Sequence, residues 1–72
     1  MENRNRDSAL TFARLSAMDA FDCWREYGSV ADSVAAHRQN VRDTLAEYGA
    51  TCHLARALAQ FDLMVDCGRA LC

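Results

Sequence analysis

Proline, isoleucine and lysine are absent from this 72-residue sequence, and glycine occurs only three times. Each shortage narrows the fold. Without Ile, the β-branched stock is four Val and three Thr, too few of the side chains that suit a pleated sheet. Three Gly are also too few for phosphate-cradling loops, and no nucleophile elbow, zinc-protease pair or kinase-type motif is present, so no enzymatic activity is expected. No segment approaches the roughly 20 apolar residues of a membrane span. The polar start, Met1 to Asp7, offers no apolar stretch for a signal peptide. A cytoplasmic location follows as the expectation, with the four Cys as reduced thiols rather than a disulfide framework.

What is present favours helix. The hydrophobic fraction is 51%, but thirteen of those residues are Ala, which form helix well while burying little area each. Val, Leu, Met, Phe, Trp and Tyr together supply twenty residues for a core. Net charge is −2, from eight Arg against seven Asp and three Glu, which gives neither the basic bias of a nucleic-acid binder nor an acidic disordered tail. Arg in place of every Lys, beside abundant Ala, suits a GC-rich coding sequence of bacterial or phage type. Residues 1–72 make one domain. A domain this small buries only about 60% of the surface its unfolded chain exposes, so association adds stability.

The clearest internal signal is a repeat. Glu26-Tyr27-Gly28 recurs 21 residues later as Glu47-Tyr48-Gly49. Gly just beyond a periodic run terminates a helix, because it enters the left-handed region without a Cβ penalty. Two such stops predict an all-α, compact three-helix antiparallel bundle with helices at about 7–27, 29–48 and 51–67, self-associating, and with residues 1–6 as a flexible N-terminus. Ser29 and Thr51 are expected N-caps, Asp7 or Ser8 caps the first helix, and Asp32 adds negative charge to the first turn of the second.

At 100° per residue, Val30, Val34, His37, Val41, Leu45 and Tyr48 share one arc of the second helix, opposite Asp32, Gln39, Asp43 and Glu47. The third gathers Leu54, Ala57, Leu58, Phe61, Met64 and Val65. In the first, Leu10, Ala13, Ala17, Phe21 and Trp24 form a stripe, which Phe12, Cys23 and Tyr27 widen, with Leu15 and Met18 outside it. Apolar surface left over should come from Phe12, Leu15, Met18, Leu63 and Leu71, and a contiguous patch of that kind marks an interface. With Arg14 and Arg25 at its rim, this is the expected partner-binding surface.

Two further constellations carry chemistry. Gly28 to His37 followed by Arg38 to Leu45 resembles bacterial helix-turn-helix regulators over 18 of the 72 residues. That resemblance implies a DNA-binding transcriptional regulator reading bases with Arg38, Gln39, Asn40 and Arg42. The turn between the halves is missing, however, and the apolar phase runs straight through it, so one continuous helix is expected. Asp32, Asp43 and Glu47 also oppose a phosphate backbone.

The cysteines, at positions 23, 52, 67 and 72, lack the close pairs of a zinc site, and neither metal nor cofactor is expected. Cys23 and Cys67 should be buried or half-buried, while Cys72 is expected to be exposed. The carboxylate groups Asp19, Asp22, Glu26 and Asp62, Asp66 read as solvated faces with Arg14, Arg25 and Arg69 at hand. His37 interrupts an apolar stripe. It is expected to be a hydrogen-bonded residue at the core edge, or a polar element of a homodimer seam. The sequence as a whole points to a small interaction module, an adaptor or inhibitor that masks another protein.

Overall fold

A computed structural model describes the backbone of residues 2–71 and the side chains of residues 5–70. Three helices, α1 (Glu2–Asp22), α2 (Val30–Glu47) and α3 (Leu54–Leu71), form a bundle. Short 3-10 turns, Trp24–Glu26 and Thr51–His53, sit in the two connections, and no strand occurs among the described residues. The start of α2 lies against the end of α1, and the N-terminal half of α1 lies against the end of α2, so those two run antiparallel. α3 returns in the direction of α1.

Gly28 and Gly49 both take positive φ, +91° and +68°; Gly49 follows the end of α2 as expected, whereas Gly28 follows a 3-10 turn rather than α1 itself. After α2 the chain closes a Schellman motif: the Gly49 N–H donates to the Ala46 carbonyl at 3.2 Å and the Ala50 N–H to the Leu45 carbonyl at 2.7 Å. Ala50 and Leu45 pack in the same core. Ser29 caps α2, its hydroxyl accepting from the Asp32 N–H at 3.1 Å.

The structure corrects several expected boundaries. α1 begins at Glu2, ahead of the expected start at about residue 7, so Asp7 and Ser8 lie inside the helix rather than capping it. Straight-chain Glu and Arg there favour helix, and nothing breaks it. α1 also stops at Asp22 instead of Tyr27. Its last turn carries no basic residue but has Asp19 and Asp22 beside the negative end of the helix dipole, and the chain tightens into the 3-10 turn. Thr51 does not cap α3, because the chain leaves the Schellman closure at Ala50 directly into a 3-10 turn with no side-chain cap. α3 then runs past Cys67 to Leu71. Gly68 sits within it, where a Cβ would come within 2.5 Å of the Phe21 ring, so this glycine lets α1 and α3 approach closely.

The core is built from small residues on one helix and larger ones on the others. α1 turns Ala9, Ala13, Ser16, Ala17 and Ala20 inward, while Val41, Leu45, Leu58, Phe61 and Val65 fill the space from α2 and α3. Phe61 is wholly buried, which contributes on the order of 2–3 kcal/mol over leaving it exposed. Expected stripe residues at the helix ends are displaced: Trp24 has left α1, and Tyr48, past the last turn of α2, is 79% exposed.

A buried polar contact ties α1 to α2. The Ser33 hydroxyl, fully enclosed, donates to the Ala20 carbonyl at 2.7 Å, satisfying one of the last carbonyls of α1. Replacing Ser33 with Ala leaves that acceptor without this partner, and the expected loss is about 1–3 kcal/mol in a urea or guanidinium unfolding curve. A loss below the resolution of such curves would mean that water substitutes freely for the hydroxyl.

Candidate docking surface

Large apolar side chains left outside the core make up the surface of interest. Leu15, Met18 and Leu63 are each more than half exposed, at 53%, 52% and 56%, and the aromatic rings of Trp24, Tyr27 and Tyr48 are exposed as well. Their positions follow from helical phase. The flank of α1 that carries Ser8 and Phe12 faces α2, where both residues join Thr44, Leu45 and Tyr48 in a groove of about 370 Å³. Phe21, seated on Gly68, marks the opposite flank as the one facing α3.

The six expected partner-binding residues are distributed over α1, the 3-10 turn after it and α3. Phe12 is half-buried, packs against the core and lines the groove on the α2 side. Leu15 borders a second depression with Asp7, Ser8, Thr11 and Phe12, on the outward side of α1. Arg14 and Met18 step round to the α3 flank, and Leu63 projects outward from α3. Arg25 lies in the 3-10 turn, its guanidinium 5.8 Å from the centre of the Trp24 ring, at one end of the bundle. The Leu71 side chain lies outside the described residues. Sequence phase missed the exposure of Tyr27 and Tyr48. Their place directly before Gly28 and Gly49, where the helical phase ends, was the available signal.

The alternative DNA-reading set sits differently. α2 is unbroken from Val30 to Glu47, through the position where a helix-turn-helix would bend. Arg38 is engaged within the molecule: its Nε donates to Asp62 Oδ1 at 3.0 Å and its Nη2 to Oδ2 at 3.1 Å. This bidentate bond to the carboxylate raises the guanidinium above its already high ordinary pKa. Gln39 donates to Asp43 at 2.9 Å, while Asn40 and Arg42 are exposed. Two of the four side chains thus already have protein partners.

His37 is half-buried at the core edge. Its Nδ1 lies 2.8 Å from the Ser33 carbonyl, which assigns the proton to Nδ1, and the ring meets Tyr27 edge-on with centroids 5.5 Å apart. The hydrogen-bonded reading of this residue is the one the structure shows. Tyr27, His37 and Ser33 together fasten the α1–α2 connection.

Among the thiols, Cys23 is half-buried, whereas Cys52 and Cys67 are exposed. Exposure of Cys67 corrects the expectation that it would be buried. Position 67 falls beside the α3 stripe formed by Phe61 and Val65, not within it. Cys72 lies outside the described residues. Among those residues, no three His, Cys, Asp or Glu side chains gather as a metal cage. No helix described is long and apolar enough to cross a membrane.

Desolvation pushes the Cys23 thiol pKa up, and the negative charges of Glu26, Asp19 and Asp22 push it further in the same direction. A raised pKa leaves less thiolate at any given pH, and Cys23 is half-buried where Cys52 and Cys67 are exposed, so it should alkylate more slowly than either. Time-resolved iodoacetamide labelling with peptide mass mapping at mildly alkaline pH checks the order, and Glu26→Gln should speed Cys23 alone. Equal rates at all three sites would contradict it.

No protein-family model matches this chain, and no curated protein and no solved structure resembles it significantly.

Proposed function

We propose that this chain is a non-enzymatic protein-interaction module of the cytoplasm, an adaptor or inhibitor that docks on another protein and masks it. The observation that carries the reading is an inverted distribution of size. Half of the buried apolar residues are Ala, while Leu15, Met18 and Leu63 stand in solvent. A bundle this small gains most by covering such residues, and Met, aromatic and Arg side chains are those enriched in interface cores. Arg14 lies on the same flank as Met18, so the apolar surface has a cationic rim of the kind interfaces use.

Regulation of a bacterial or phage partner by masking needs only complementary shape and charge, which this surface offers. DNA binding through Arg38, Gln39, Asn40 and Arg42 is the weaker reading. The Arg38 guanidinium is already held by Asp62, and Asp32, Asp43 and Glu47 share α2 with the candidate contacts.

The test is capture from lysate by the tagged chain after nuclease treatment, with two variants in parallel. Wild type should retain a defined protein at near-stoichiometric level. Met18→Asp with Leu63→Asp should lose it, and Arg38→Ala with Arg42→Ala should keep it, with stability within about 1 kcal/mol of wild type because the Arg38 pair is exposed. Retention of nucleic acid by wild type, lost with the two arginines, would overturn the reading.

A further inference from the structure

We draw no further inference here: the strongest candidate, the groove of about 370 Å³ between the N-terminal half of α1 and the end of α2 under Phe12 and Tyr48, is lined by uncharged residues, and nothing in the structure shows what covers it.

Discussion

The close approach of α1 to its two neighbours is the constraint from which the rest of the molecule follows. Ala9, Ala13, Ala17 and Ala20 present almost no side chain, so α2 and α3 meet the α1 backbone at short range, and Gly68 extends the same principle to the end of α3 beneath Phe21. Interiors pack to crystal-like density, and a small residue on one helix requires a larger one opposite. Phe61, Leu58, Val65, Val41 and Leu45 meet that requirement. Twenty large apolar residues are more than this narrow core accepts, and the surplus is left on the surface.

The same closeness explains the polar contact at the α1–α2 junction. Ser33 stands in the enclosed row of α2 where an apolar residue would find a carbonyl at 2.7 Å, and its hydroxyl turns that carbonyl from a desolvated acceptor into a bonded one. His37 and Tyr27 close the connection around it. An exposed apolar surface is therefore the counterpart of a small-residue seam.

Much of the fold was legible in the residues. Gly49 announced the end of α2 because a residue tolerant of positive φ closes that helix, Gly28 marked the connection before α2 rather than the end of α1, and the unbroken phase of α2 outweighed the resemblance to a helix-turn-helix. Phase also identified most of the α3 core. It failed where a helix stopped obeying it: Trp24 and Tyr48 were counted in buried stripes although the chain had already turned away. The end of α1 depended on the dipole and on Asp19 and Asp22, an electrostatic effect that periodicity does not register. The candidate surface was legible as composition, in Leu15, Met18 and Leu63, but which flank of α1 turns to α3 depended on Phe21 meeting Gly68, a contact that exists only in three dimensions.

Small side chains on α1 hold its seam with α2 and α3, while large apolar residues surplus to that core, such as Leu63, stand outside it. Guanidinium unfolding of Ala13→Leu beside Leu63→Ala tests it most directly, since one position is fully buried and the other 56% exposed. The account predicts that the added bulk at Ala13 destabilises by about 1–3 kcal/mol, whereas removing the larger side chain at Leu63 changes stability by no more than about 0.5 kcal/mol. An Ala13→Leu variant as stable as wild type, or a Leu63→Ala variant that loses several kcal/mol, would place the core elsewhere and contradict the account.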